Sequence, residues 1–116
     1  MGKRKPLQEA ILIAGTNNKQ IKIDNLVLIR AVGVLRALNH SLRQEIMQLL
    51  EQHGKLTVSD LFEKMKLEQS VTSQHLAILR RSGIVTTTRI GKFIYYSVNK
   101  DRVGEVADLV DSLAQK

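Results

Sequence analysis

Between Val58 and Val98 the hydrophobic period of the chain changes, and that change allows few folds. Val58-Ser59-Asp60-Leu61-Phe62 opens a short helix, and Leu67-Glu68-Gln69-Ser70-Val71-Thr72-Ser73-Gln74-His75-Leu76 leads into a second. The turn between them is Lys66-Leu67-Glu68. After Gly83, Val85-Thr86-Thr87-Thr88-Arg89 is rich in β-branched residues, Ile90-Gly91-Lys92 supplies a turn, and Phe93 to Val98 returns. Two short helices across a tight turn, followed directly by a two-stranded ribbon, make a winged helix-turn-helix. The expected class is therefore mainly α with a small β-hairpin wing.

The second of these helices carries the functional argument. On a 3.6-residue repeat from Ser70 to Ser82, Thr72, Leu76 and Leu79 share one side, with His75 at its edge. Ser70, Ser73, Gln74, Ala77 and Arg81 share the other. The first side is a core stripe. The second is short and polar, and long charged side chains are absent from its first turns, so its backbone can approach a flat partner. Serine and glutamine can donate to or accept from base edges in a major groove, where the N-terminal half of such a helix enters. A solvated helix would also carry serine and glutamine. The preceding helix, the following ribbon and the charge of the chain tip the balance towards DNA. Arg89 and Lys92 flank the ribbon tip, where they can grip phosphate or an adjacent minor groove; edge protection by charge is the plainer alternative.

The charge bears on the same question. Eighteen Lys and Arg against 11 Asp and Glu give a formal +7 over 116 residues. That excess favours an anionic partner, nucleic acid before membrane. The absence of cysteine excludes disulfides, thiolate metal sites and thiol redox switches. No run is long and apolar enough to span a bilayer. Pro6, Gln8 and Glu9 interrupt the basic-then-apolar start that would otherwise imitate a signal peptide, so the expected location is the cytoplasm.

The rest of the chain divides into residues 1–23, an N-terminal arm or short helix, and 24–116, the DNA-binding and dimerisation domain. Lys3-Arg4-Lys5 is either a phosphate-touching arm or a solubilising terminus. Leu7 to Ile13 suggests a short helix before the break at Gly15-Thr16-Asn17-Asn18, and Ile21-Lys22-Ile23 looks extended and half-buried. Asp24 can cap a first long helix, apolar on most sides from Leu26 to Leu38; one face is expected in the core, the other against a second subunit. Asn39-His40-Ser41 breaks the pattern. A second helix carries Leu42, Ile46, Leu49 and Leu50 and stops at Gly54. Thr57 and Asp60 have capping-box spacing for a helix from about Val58 to Met65, with Leu61, Phe62 and Met65 inward. Glu68 is a weaker cap for the reading helix. Asn99 or Asp101 begins the last helix, whose stripe of Val103, Val106, Ala107, Val110, Leu113 and Ala114 needs the first long helix as cover, within the subunit or across a two-fold axis.

From Leu26 to Leu113 this order resembles the ArsR/SmtB family of repressors. Ala37-Leu38-Asn39-His40-Ser41-Leu42-Arg43 is similar to the family's Ala-Leu-x-Asp-Pro-Thr-Arg, with Arg43 retained. Gln69 to Arg80 resembles its reading helix, and Gly83-Ile84-Val85, Arg89-x-Gly91-Lys92 and Tyr95-Tyr96 match its wing. The resemblance implies a homodimer, joined by its outer helices, whose reading helices enter successive major grooves of an imperfect palindrome in double-stranded DNA. It also implies repression relieved by a signal. Gln69, Ser70, Ser73 and Gln74 are the positions it makes base-reading; Arg80, Arg81, Arg89 and Lys92 are those it places on phosphates.

The sensing positions depart from the family. Where many members have Cys-Val-Cys-Asp-Leu, this chain has Thr57-Val58-Ser59-Asp60-Leu61, and hydroxyls bind soft metals poorly. The last helix carries Glu105, Asp108 and Asp111 but no histidine; Asp108 and Asp111 could share a hard cation, though such a pair is more often a solvated face. His40, His53 and His75 look scattered. No metal or cofactor is therefore expected, and the effector stays open. No nucleophile elbow, phosphate loop or metal triad marks an enzyme. The competing reading is a winged-helix module that binds protein without DNA specificity of its own.

Overall fold

The computed structural model describes residues 9–115. The chain divides into two units, Met1–Gly33 and Val34–Lys116.

In the first unit a hairpin stands where a short helix was expected. Strand β1 (Ala10–Ala14) pairs antiparallel with β2 (Gln20–Asp24), from Ala10 opposite Asp24 to Ala14 opposite Gln20. A single 3₁₀ turn, Thr16–Asn18, joins them, with Asn17 and Asn18 both left-handed at φ 62° and 61°. Asparagine tolerates that region through its short polar side chain. The Gly-Thr-Asn-Asn break therefore does more than end a segment: it reverses the chain and gives Ile11, Leu12 and Ile13 a ladder partner. An isolated helix of that length is marginal, so the ladder prevails. Ile21 and Ile23 are extended as expected, yet exposed rather than half-buried. Leu7 and the Lys3-Arg4-Lys5 arm lie outside the described residues.

Helix α1 (Asn25–Leu38) follows at once and runs from the first unit into the second. Asp24 caps it, its Oδ1 accepting from the backbone N–H of Leu26 at 2.9 Å and of Val27 at 3.1 Å. In the first unit Leu26, Val27, Leu28, Ile29 and Val32 are exposed, Leu26 at 67%.

The second unit is built from the end of α1, then α2 (Ser41–His53), α3 (Val58–Met65), α4 (Gln69–Arg81), strands β3 (Val85–Ile90) and β4 (Phe93–Val98), and α5 (Lys100–Ala114). It is a winged helix-turn-helix. Ile46 and Leu50 of α2, Leu61 of α3, Leu76 and Leu79 of α4, and Ile84 after it are each at 0% exposure. Burying one such side chain contributes about 1.5–3 kcal/mol, and three helices meet on this cluster. Leu56, Val85 and Val106 complete it, while Met65 packs at its edge and Phe62 is half-buried.

Local chemistry sets each boundary. Gly54 closes α2 at φ 81°, a left-handed conformation that a Cβ disfavours. The capping box on α3 is complete: Asp60 N–H donates to Thr57 Oγ1 at 3.1 Å, and Thr57 N–H donates to Asp60 Oδ2 at 3.0 Å. Lys66 takes the left-handed conformation at φ 56°, and Leu67 N–H donates to Phe62 O at 3.1 Å, which tightens the turn into α4. Glu68 is the N-cap residue of α4 without a side-chain hydrogen bond.

Candidate nucleic-acid interface

Helix α4 is divided lengthwise. Thr72, Leu76 and Leu79 are buried, and the Thr72 hydroxyl donates back to Glu68 O at 3.1 Å, so no polar atom is stranded in the core. Gln69, Ser70, Ser73, Gln74 and Ala77 are exposed, and so are Arg80 and Arg81 in the last turn. The four residues expected to read bases thus share the outward surface of one helix at its N-terminal end. Ser82 belongs to the support, since its hydroxyl donates to Leu79 O at 3.0 Å and Ile78 O at 3.2 Å.

The wing is a six-rung antiparallel ladder from Val85 opposite Val98 to Ile90 opposite Phe93. Gly91 and Lys92 form a two-residue loop with Gly91 at φ 61°, and a glycine first in such a loop suits the twist of the strands. Arg89 is exposed, and its Nε donates to Gly91 O at 3.2 Å, which holds the guanidinium at the tip. The Lys92 ammonium lies 5.5 Å from the centre of the Phe93 ring. Among the described residues the only ion pairs are Lys100–Glu51 and Arg102–Glu105. Arg80, Arg81, Arg89 and Lys92 are therefore not neutralised by a described carboxylate.

Two contacts that sequence reasoning missed fix wing and helix relative to each other. Leu56 and Tyr96 exchange backbone hydrogen bonds at 3.1 and 2.8 Å, tying β4 to the segment between α2 and α3. Asn99 caps α5 through Oδ1 to Arg102 N–H at 3.3 Å, while its Nδ2 donates to Gly83 O at 3.0 Å and its own N–H to Ile84 O at 2.9 Å. The cap was visible in the sequence; the second set of bonds had no local signal. A third miss concerns the histidines. His40 and His75 are not scattered but face each other with ring centres 4.7 Å apart.

At the departed sensing positions, Thr57 and Asp60 spend a side-chain oxygen each on the capping box. Asp108 and Asp111 are both exposed. Among the described residues no group of three or more His, Asp or Glu could hold a metal ion, and no helix is long and apolar enough to cross a membrane.

The family profile described as "Bacterial regulatory protein, arsR family" matches residues 40–87, from the start of α2 through α4 into the wing. An uncharacterized HTH-type transcriptional regulator of Bacillus subtilis, YbzH, is 31% identical, over 68% of this chain and 93% of its own. This chain belongs to the ArsR family. Transcriptional repressor PagR of Bacillus anthracis is 32% identical over 79% of this chain and 92% of its own length. Its crystal structure matches with a TM-score of 0.61, covering 75% of this chain and 99% of PagR. Transcriptional activator HlyU of Vibrio cholerae is 33% identical over 72% of this chain and 77% of its own. The structure of HlyU matches with a TM-score of 0.59 at 31% identity, covering 78% of this chain and 97% of HlyU. ArsR-family proteins are DNA-binding transcriptional regulators, and the divided α4 lies inside the region that the family profile matches.

Proposed function

We propose that the chain is a homodimeric, sequence-specific transcriptional repressor that binds an imperfect palindrome in double-stranded DNA and acts in the cytoplasm. The observation that carries this reading is the exposed N-terminal face of α4. Gln69, Ser70, Ser73 and Gln74 stand free of bulky charge there, and they read base edges in the major groove. Arg80 and Arg81 at the end of the helix, and Arg89 and Lys92 on the wing, contact phosphates and fix the register. PagR is a repressor and HlyU an activator; repression follows here from steric exclusion by a dimer lying across a promoter.

The dimer has its own support. Leu26 and Ile29 on α1, and Leu109, Val110 and Leu113 on α5, are exposed in the single chain. Faces this apolar favour cover from a second copy. The hydroxyl and carboxylate groups at Thr57, Ser59 and Asp60 favour a signal other than thiol-bound metal.

Selection from a pool of random duplexes tests the reading. The expected product is a two-fold related motif with half-sites about one helical turn apart. Recovery of duplexes without a shared motif would reject sequence-specific binding and leave the protein-interaction reading.

A further inference from the structure

One arginine seats the reading helix on its support. Arg43, in the first turn of α2, donates Nε to Ala37 O at 2.6 Å and Nη2 to Arg36 O at 3.0 Å, satisfying carbonyls at the end of α1. Its Nη1 lies 3.2 Å from Nδ1 of His75 on α4. A guanidinium can only donate, so this nitrogen of His75 accepts and carries no proton. His40, the N-cap of α2, has its own Nδ1 committed as acceptor to Leu42 N–H at 3.1 Å. The two rings lie against each other, tilted by 52°. The joint between α2 and α4 thus requires one cation and two imidazoles with a free Nδ1.

We propose that Arg43, acting through His75, is a positioning residue for the reading helix, and that this joint makes selective DNA binding weaken as pH falls. The proposal rests on the DNA-binding reading above. A proton added to Nδ1 of His75 would face the Arg43 donor, and the hydrogen bond would be lost.

The groups facing His75 offer no relief. The charges acting on it are His40 and Arg43, both from the start of α2, and neither α3 nor the wing contributes one. The end of α1 presents the Arg36 and Ala37 carbonyls, which Arg43 occupies. Neither of the two ion pairs among the described residues is at the joint. Burial first, then His40, then Arg43, holds His75 below the ordinary imidazole value of 6.5. Above that value the joint is intact; below it protonation opposes the contact. The direction separates this effect from bulk charge, because protonated histidines should strengthen phosphate attraction.

The test uses the full chain, a duplex selected by it at about pH 8, and a scrambled duplex, compared at about pH 8 and about pH 5.5. The expected result is weaker binding of the selected duplex at the lower pH, by at most about tenfold because the His75 ring is held below the ordinary imidazole value, with the scrambled duplex unchanged or bound more tightly. His75→Gln supplies an acceptor that does not titrate, and should flatten the profile. NMR of the free protein adds a readout independent of DNA: amide signals of α4 should move together with the His75 ring as it titrates. A wild-type profile that is flat, or one equally steep in His75→Gln, would overturn the proposal, as would α4 amides indifferent to the ring. Failure to select any duplex at about pH 8 would remove the DNA reading itself; success there with a flat profile removes only the joint.

Discussion

Arg89 on the wing and Gln74 on α4 are both exposed polar residues, and the roles proposed for them differ. Arg89 is anchored to the wing tip by its bond to Gly91 O, and the proposed function sets it against the duplex backbone. Arg89→Ala should weaken selected and scrambled duplexes alike and lower the slope of log affinity against log salt by about 1. Equal slopes for the variant and wild type, measured by fluorescence anisotropy in a salt series, would take Arg89 off the phosphates. The outward residues of α4 were legible in the sequence because the helical period alone sorts them from Thr72, Leu76 and Leu79. The Arg43–His75 contact was not, because it joins residues 32 apart and no local pattern announces it. The histidine pair was obscured for the same reason: His40 looked like part of a break between helices, and its ring contact exists only once α2 and α4 have packed.

At the scale of the element, boundaries followed from side chains that bond their own backbone. Thr57 and Asp60 satisfy two N–H groups reciprocally, so Thr57→Ala should lower stability by about 1 kcal/mol, read from the urea midpoint. An unchanged midpoint would mean that the box is dispensable. Lys66 sits left-handed in the turn of the helix-turn-helix. Lys66→Val, β-branched at such a position, should cost about 1–2 kcal/mol, and a loss of stability no greater than that of Lys66→Ala would contradict the role given to β-branching. The capping box, the Gly54 stop and the wing were all legible, since each is a short-range device. The first hairpin was not. Ile11, Leu12 and Ile13 fit a helix or a strand equally by apolar content, and only the partner strand beyond the asparagine turn decides between them. Exposure of Ile21 and Ile23 was beyond reach for another reason: alternation shows which side chains share a face, not what lies against it.

Across the whole molecule, apolar surface stands without cover in the single chain. Leu113 is 67% exposed near the end of α5. The expected mass in solution is twice 13.1 kDa, and Leu113→Asp should shift the equilibrium towards the single chain and weaken operator binding in proportion. Sedimentation at working concentration checks both; a variant as dimeric as the wild type would exclude α5 from the interface. The overall class, the helix-turn-helix and its wing were legible because they rest on sequential patterns within one chain. The ties from Leu56 and Asn99 were not, because bonds between distant segments carry no residue signature. The central claim remains the polar face of α4, and its most direct measurement is the binding of a selected duplex and its single-base variants to the wild type and to Gln74→Ala. The account predicts that the variant loses about 1–3 kcal/mol of discrimination at one base pair of each half-site, with affinity for scrambled duplex unchanged; an identical base preference in both proteins would contradict it.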